Sequence, residues 1–238
     1  MTPCFRTAAV VLGVALLGPA VAARAGGRPV SLPSADGTTL AAQIYEASSR
    51  PAPGVVLVHM LSRSKADWDD IAEQLEGTGI TALAIDLRGH GGSGGSAATL
   101  ADMTQDVRAA VRWLSMRPSV RPDAIGVAGA SLGANLALLA AVDQPLVRVV
   151  AAVSPSLDYR GVRVGPDRMK RLGDKPVWLG ASTEDPLAAR TIRELIADGA
   201  GVREQHLSPT GAHGTNLLAA DKALAGALVD WLRQRLLS

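Results

Sequence analysis

Cysteine, aromatic residues and an excess of charge are all scarce in this sequence of 238 residues. Cys4 is the sole cysteine, which excludes a disulfide framework and any zinc or iron–sulfur site built from cysteines. Aromatic residues make up 3%, too few for a platform on which bases or sugars would stack. The 24 Lys and Arg residues nearly balance the 22 Asp and Glu residues, which argues against a basic arm that binds nucleic acid.

Apolar residues, by contrast, make up 47% of the chain and supply enough material for a folded core. The first residues combine a short basic start, an apolar run and small residues at the end. This pattern predicts a signal peptide over 1–25 and an exported protein whose mature chain, 26–238, forms one domain without a membrane span. A retained membrane anchor is the alternative, although a run of about 17 apolar residues is at the short limit for a span. Cleavage after Ala25 would remove Arg6 and Arg24 and bring the net charge of +2 to zero.

Short apolar runs alternate with helical patterns along the rest of the chain. Several runs are apolar at successive positions, which is typical of parallel strands buried on both faces. Two early runs joined at Asp36-Gly37 predict an N-terminal hairpin. Because strands alternate with helices, the sequence predicts an α/β fold, a doubly wound, mostly parallel sheet flanked by helices. The predicted strands are 30–32, 39–45, 54–59, 81–86, 125–129, 147–153, 176–180 and, more weakly, 202–207; helices are predicted at 68–77, 103–114, 132–142, 188–197 and 217–236.

Residues 129–133 read Gly-Ala-Ser-Leu-Gly and lie between a predicted strand and a predicted buried helix. In that context the G-x-S-x-G pattern predicts a nucleophile elbow, a sharp turn that exposes the Ser131 hydroxyl above the sheet. The glycines leave room for the backbones of the strand and the helix to approach each other. The N–H of Leu132, at the start of the helix, would point to the place where an oxyanion forms. A glycine-rich turn without chemistry is the alternative.

The elbow and two further segments make this chain similar to the α/β-hydrolase superfamily, in particular to serine esterases that resemble dienelactone hydrolases. These segments are His59-Met60, at the end of one strand, and 86–91, Asp-Leu-Arg-Gly-His-Gly, after the next. Family members commonly carry His-Gly at the first of these, whereas Met60 replaces the glycine here. The resemblance implies that the N–H of Leu61, or else that of Met60, is the second oxyanion donor beside Leu132.

A serine hydroxyl needs a base before it acts as a nucleophile near neutral pH. The resemblance implies His213 as that base, because the family places it in the loop after the last strand. A solvated loop histidine is the alternative for His213. We predict that His59 and His90 are structural, and His206 lies within the weak last strand.

The acid that orients His213 is expected after the penultimate strand, where the family places it. Asp185 fits this position, and Glu184 is the neighbour that would replace it. Asp185 also precedes a proline, which suits a helix N-cap, so a purely structural role stays open. Asp158 is a weaker candidate. The order Ser131, Asp185, His213 along the chain is the order that this fold uses.

Residues 154–175 would form a loop or one short helix, which is too little for a large lid domain. We therefore expect a shallow and open pocket. The basic residues Arg168, Lys170 and Arg171 would attract an anionic substrate, with a solvated face as the alternative. The glycine-rich stretch 89–95 lacks a phosphate-loop pattern, and no group of histidines and carboxylates has the spacing of metal ligands. The sequence predicts no cofactor and no metal.

These patterns predict a secreted serine hydrolase that cleaves small-molecule carboxylic esters through an acyl-enzyme, with Ser131, His213 and Asp185 as its triad. A peptidase or an acyltransferase would use the same three residues, since only the pocket and the acyl acceptor differ. A non-catalytic binding protein on this fold is the alternative from another class. The sequence predicts no nucleic-acid partner and leaves the oligomeric state open.

Overall fold

The computed structural model describes Met1 and residues 26–142, 144–197 and 200–238. The predicted signal peptide therefore lies, apart from Met1, outside the described residues. Within these ranges, no helix is both long enough and apolar enough to span a membrane.

The described residues form one large sheet and one small hairpin. In the large sheet the strands follow the order β1-β2-β4-β3-β5-β6-β9-β10, numbered along the chain, and β7 pairs with β8 in the hairpin. The strands are β1 (Arg28–Pro33), β2 (Thr39–Tyr45), β3 (Ala52–Val58), β4 (Thr81–Ile85), β5 (Val120–Ala130), β6 (Val147–Val153), β7 (Asp158–Tyr159), β8 (Val162–Arg163), β9 (Val177–Ser182) and β10 (Arg203–Ser208). β2 pairs antiparallel with β1 and β4, and the other pairs in the large sheet are parallel. The predicted hairpin and the mostly parallel sheet are confirmed.

Helices cover both faces of the large sheet. They are α1 (Asp69–Gly77), α2 (Thr104–Ser115), α3 (Leu132–Val142), α4 (Pro166–Leu172), α5 (Pro186–Ala197), α6 (Thr215–Ala220) and α7 (Lys222–Leu237). In β3, Val56 and Val58 face a core cluster shared with α2 to α5, whereas Val55 and Leu57 face a cluster shared with α1, α6 and α7. Every residue of β3 and β4 is buried, which explains why these strands are apolar at successive positions. The doubly wound architecture is as predicted.

The last helical pattern forms two helices, so the prediction of one helix over 217–236 is wrong. The break lies at Asp221, whose side chain accepts a hydrogen bond from the Leu224 N–H (2.9 Å) and caps α7. The Ser208 hydroxyl donates to the other oxygen of this carboxylate (2.5 Å), which ties the cap to the end of β10. A carboxylate at a helix N-terminus is favoured twice, by hydrogen bonding and by the helix dipole, and here that cap separates α6 from α7.

The segment between β6 and β9 holds only the β7–β8 hairpin and α4 among its elements, and no large lid. The hairpin was not predicted. Asn135, fully buried on α3, donates hydrogen bonds to the carbonyl oxygens of Ser156 and Val162, both at 2.7 Å. The segment is thus fastened to the helix that begins at the elbow.

Candidate active site

Ser131 lies in the turn between β5 and α3. Its φ is +52°, in the left-handed region that residues other than glycine rarely adopt. A Cβ at Gly129 would lie 2.0 Å from the Gly133 carbonyl oxygen, and a Cβ at Gly133 would lie 2.3 Å from that of Val58. Both added methyl groups would meet backbone, which cannot easily move aside. The two glycines therefore permit the strained turn that their spacing predicts.

The side chains of Ser131, His213 and Asp185 form one chain of hydrogen bonds. His213 Nε2 lies 2.9 Å from Ser131 Oγ, and His213 Nδ1 lies 2.6 Å from Asp185 Oδ2. The carboxylate can only accept, so it assigns the ring proton to Nδ1 and leaves Nε2 free to accept from the serine hydroxyl. Three separate connections, after β5, β9 and β10, supply the three residues.

Asp185 has both of the roles that the sequence left open. Its Oδ2 faces His213, while its Oδ1 accepts a hydrogen bond from the Ala188 N–H (3.0 Å) at the start of α5. The capping bond fixes the carboxylate in the orientation that points its second oxygen at the imidazole. A helix cap and a partner for His213 are here the same side chain.

The two alternative acids have other surroundings. The backbone N–H of Glu184 donates to Ser182 Oγ (2.9 Å), and its exposed carboxylate lies beside Gly211. Asp158 pairs with Arg163 (2.7 Å), and both of these side chains are exposed on the β7–β8 hairpin. The structure therefore brings Asp185 to the imidazole of His213 and places these two carboxylates elsewhere.

Of the other histidines, His59 contacts Met60-Leu61, the segment predicted to supply the second oxyanion donor and here named the oxyanion loop. It is fully buried, its Nδ1 donates to the Met60 carbonyl oxygen (2.6 Å), and its Nε2 accepts from the Leu87 N–H (3.0 Å). The Met60 carbonyl and the Leu61 N–H belong to one planar peptide group, so the imidazole fixes the direction of that N–H. Burial lowers the pKa of His59, which keeps the ring neutral.

His90 and His206 have contacts that do not involve Ser131. His90 Nδ1 lies 3.0 Å from the Arg88 carbonyl oxygen. His206, on β10, stacks on the buried ring of Trp178, with ring centroids 4.9 Å apart. His213 is thus the histidine that the described structure joins to Ser131.

A buried carboxylate holds the chain that follows the oxyanion loop. Asp86, at the end of β4, accepts hydrogen bonds from the Lys65 ammonium (2.6 Å), the Lys65 N–H (2.7 Å) and the Gly92 N–H (2.8 Å). Burial raises the pKa of Asp86, but the bonds from Lys65 and Gly92 outweigh it and the pKa lies below its ordinary value. This contact was not predicted, because no local pattern pairs residues that are 21 positions apart.

A second buried ion pair anchors the loop that carries His90. Arg88 donates to Asp106 (2.7 Å), which is fully buried on α2, and to Asp36 (2.7 Å) beyond β1. The Ser34 hydroxyl completes the group by accepting from Arg88 (3.0 Å). This network was not predicted. In the sequence, Arg88 belongs to segment 86–91, which carries the family resemblance but does not indicate the partners of Arg88.

The loop after β10, which carries His213, is tied to two other parts of the site. The Gly214 N–H donates to Ser154 Oγ (3.0 Å), and the Thr215 hydroxyl donates to Asp67 (3.1 Å). Asp67 also accepts two hydrogen bonds from Arg63 (2.8 and 2.9 Å), just after the oxyanion loop. These residues were not predicted, since nothing in the sequence around them indicates a contact with the His213 loop.

A groove of about 430 Å³ adjoins His213 and Asp185. Leu187 forms part of its rim and is 76% exposed. The groove is open to solvent, and Ser131 is not among the residues that line it. Arg168 lines a different groove, beside α2, and not this one. The remaining residues along the groove near His213 are Glu184, Pro186, Gly211 and Ala212.

Within the described ranges, no three or more His, Cys, Asp or Glu side chains come together in a way that could hold a metal ion.

A family model described as serine aminopeptidase, S33, matches residues 49–175, just over half of the chain. The chain belongs to this family. It is an α/β hydrolase, and its sheet order and nucleophile turn are those of that fold. The matched range of the hydrolase contains Ser131 but ends before Asp185 and His213, whose positions come from the geometry above.

Curated relatives of the hydrolase include proteins with transferase names. It is 32% identical over 164 residues to the polyketide transferase ATR5 of Stachybotrys chlorohalonatus, covering 63% of this chain and 55% of that protein. It is 31% identical over 225 residues to an uncharacterized protein of Mycobacterium tuberculosis, covering 87% and 80%. The hydrolase spans little more than half the length of ATR5 and of a Penicillium polyketide transferase, 55% and 58%.

Solved structures show the same fold at low identity. A dienelactone hydrolase from Anabaena variabilis has a TM-score of 0.74 and 18% identity, and the match covers 88% of this chain and 98% of that one. An esterase of Pyrococcus furiosus has a TM-score of 0.69 at 18% identity, covering 88% and 93%. At this level of identity the likeness concerns the fold.

Proposed function

We propose that this hydrolase cleaves carboxylic esters of small molecules through an acyl-enzyme on Ser131. The observation that carries the proposal is the chain of hydrogen bonds from Ser131 Oγ through His213 to Asp185, at 2.9 and 2.6 Å. This is the arrangement by which a neutral imidazole activates a serine hydroxyl.

In the proposed mechanism, His213 Nε2 takes the hydroxyl proton as Ser131 Oγ bonds to the ester carbonyl carbon. The carbonyl electron pair moves onto oxygen, and the N–H groups of Leu132 and Leu61 donate to that oxyanion. His213 then passes the proton to the leaving alcohol, which leaves the acyl group on Ser131. A water molecule, deprotonated by His213, releases the acid and restores the serine.

Asp185 has an electrostatic role in this cycle. It holds the ring in the tautomer with its proton on Nδ1, and it stabilises the imidazolium that forms in each half of the reaction. The carboxylate is itself held by its cap on α5. The imidazole therefore need not reorient between acylation and deacylation.

A second function, acyl transfer to an acceptor other than water, uses the same acyl-enzyme. It is favoured by the names of two relatives, the polyketide transferase ATR5 and an Aspergillus calidoustus acyltransferase that is 33% identical over 134 residues. A groove open to solvent lies beside His213, the residue that would take the proton from the acceptor. Peptide hydrolysis is the third use of this chemistry, and the family description names an aminopeptidase.

A substrate panel separates these functions. The purified protein is incubated with p-nitrophenyl acetate, butyrate and octanoate, with a thioester, and with aminoacyl p-nitroanilides, with and without added alcohol. We expect turnover of esters with an initial burst, and no turnover by Ser131→Ala. Anilide turnover without ester turnover would replace the proposal with a peptidase, and acyl esters of the added alcohol as the main product would replace it with a transferase.

We also propose that the protein is exported, on the support of the signal pattern in residues 1–25. Sequencing of the N-terminus of protein recovered from outside the cytoplasm should then begin at Gly26. A full-length chain in the membrane fraction would contradict this and favour the retained anchor.

A further inference from the structure

Ser154, the residue that follows β6, has an unusual backbone. Its φ is +51°, although it is not glycine and is only 1% exposed. Ser131 adopts nearly the same angle, +52°, at the nucleophile elbow. A buried residue is held in this region only when its surroundings fix it, and such residues concentrate at functional sites. The strain at Ser154 therefore calls for a structural cause.

Hydrogen bonds place Ser154 where the three connections of the site meet. The Ser131 N–H donates to the carbonyl oxygen of Val153 (2.9 Å), the residue before Ser154. The Ser154 N–H donates to the Gly180 carbonyl oxygen (2.7 Å) on β9, the strand that leads to the acid turn. Ser154 Oγ accepts from the Gly214 N–H (3.0 Å) in the loop of the base. One residue thus contacts both the strand that leads to Asp185 and the loop that carries His213.

The bond to Gly214 acts on His213 directly. The Gly214 N–H and the His213 carbonyl belong to one planar peptide group, so anchoring that N–H fixes the backbone from which the imidazole projects. Packing contributes less to this placement, because 49% of the His213 side chain is exposed. On its other side, Gly214 rests against the Met60 thioether, which a Cβ at position 214 would approach to 2.2 Å.

We propose that Ser154 is a positioning residue for His213: its hydroxyl oxygen holds the base loop so that Nε2 reaches Ser131 Oγ. This inference rests on the proposed function, since it gives Ser154 a part in the activation of Ser131. A purely structural serine would affect how much protein is folded, whereas a positioning residue sets the rate of each correctly folded molecule.

Two substitutions separate the hydrogen bond from the backbone strain. Ser154→Gly removes the acceptor and also relieves the positive φ, so this variant folds readily. Ser154→Ala removes the acceptor and keeps the strain. For each protein, a fluorophosphonate probe gives the final number of labels per chain and the second-order rate of labelling, and ester hydrolysis gives kcat and KM separately. Thr81→Ala is the matched control, because it removes a fully buried hydroxyl that accepts from the Ala47 N–H (3.2 Å) at the start of β4, the end of that strand away from the site.

We expect wild type, the control and both Ser154 variants to approach one label per chain. The labelling rate and kcat should both fall about tenfold in Ser154→Gly and Ser154→Ala, while KM stays nearly unchanged. The reason is that a misplaced base slows the step that it assists. Wild-type rates in Ser154→Gly would overturn the inference, as would fewer labels per chain at an unchanged rate. If wild type itself is not labelled, the proposed function fails and the inference fails with it.

Discussion

The two sides of the site are fixed in different ways. The nucleophile side, around Ser131, is fixed by buried backbone and buried charged groups. The base side, His213 and Asp185, is more exposed, and a few hydrogen bonds fix its position. Ser131 is 6% exposed, while the side chains of His213 and Asp185 are 49% and 18% exposed. The elbow glycines and the buried Asp86 belong to the first side, and both are built into the core of the sheet.

This difference predicts how the two sides respond to substitution. A change near the elbow meets the backbone of α3 or of the end of β3, so it should alter stability and activity together. A change near the base meets a loop and solvent, so it should alter activity with little effect on stability.

The largest effect is expected from Asp185→Asn. Asparagine is also a good helix N-cap, so the cap on α5 is kept while the charge beside His213 is lost. We expect kcat for ester hydrolysis to fall by roughly 10⁴-fold, with the midpoint of thermal unfolding nearly unchanged. The matched variant Glu184→Gln should keep kcat within about twofold, because its carboxylate is not bonded to His213. The reverse pattern would make Glu184 the acid.

On the nucleophile side, Gly129→Ala should destabilise the fold by about 3 kcal/mol. Its Cβ would lie 2.0 Å from the Gly133 oxygen and 2.8 Å from the Ala134 nitrogen, both backbone atoms of α3. The measurement is urea unfolding, read as a lower midpoint at an unchanged slope. A midpoint equal to that of wild type would show that the elbow is less tightly packed than its geometry indicates.

On the base side, Gly214→Ala should lower kcat by about tenfold and destabilise the fold by only about 1 kcal/mol. Its Cβ would meet the Met60 sulfur, and a methionine side chain can move aside. Gly37→Ala is the control for strain alone, since φ there is +83° and nothing lies within 4 Å of the added Cβ. A loss of stability as large as that of Gly129→Ala would erase the contrast between the two sides.

The smallest effect concerns the pH dependence of stability. Burial lowers the pKa of His59 in the folded protein from 6.5, so the unfolded chain binds more protons just below that pH. The contribution of the neutral His59 to the free energy of unfolding is fully present above about pH 6.5. It is lost as the pH falls toward the lower pKa that His59 has in the folded protein. Urea unfolding from pH 8 to 5 should show this decline in wild type and a shallower one in His59→Gln. Equal slopes would contradict a buried, neutral His59.

The sequence predicted the parts of this hydrolase that local patterns encode. The elbow could be predicted because two glycines around a serine, between a strand and a buried helix, require a tight turn. The strands could be predicted because burial on both faces leaves a continuous apolar run. His213 and Asp185 came from their place in the family order, and the structure joins His213 to Ser131 and Asp185 to His213.

What escaped prediction depends on distant residues that meet only in the fold. Lys65 and Asp86 are 21 residues apart, and Ser154 and Gly214 are 60 apart. No periodicity links such pairs, because each lies in a connection whose path is set by the sheet. The break at Asp221 is a different case, since an aspartate before an apolar helical pattern is a local capping signal. It was overlooked because the apolar pattern continues across it.

The proposed function depends on the activation of Ser131 by His213, which covalent labelling measures without a substrate. The purified protein is treated with a fluorophosphonate probe, digested and analysed by peptide mass spectrometry, with Ser131→Ala and His213→Ala as controls. We expect one label per chain, located on Ser131, that is absent from both variants. A folded wild-type protein that stays unlabelled, or a label on another residue, would contradict it.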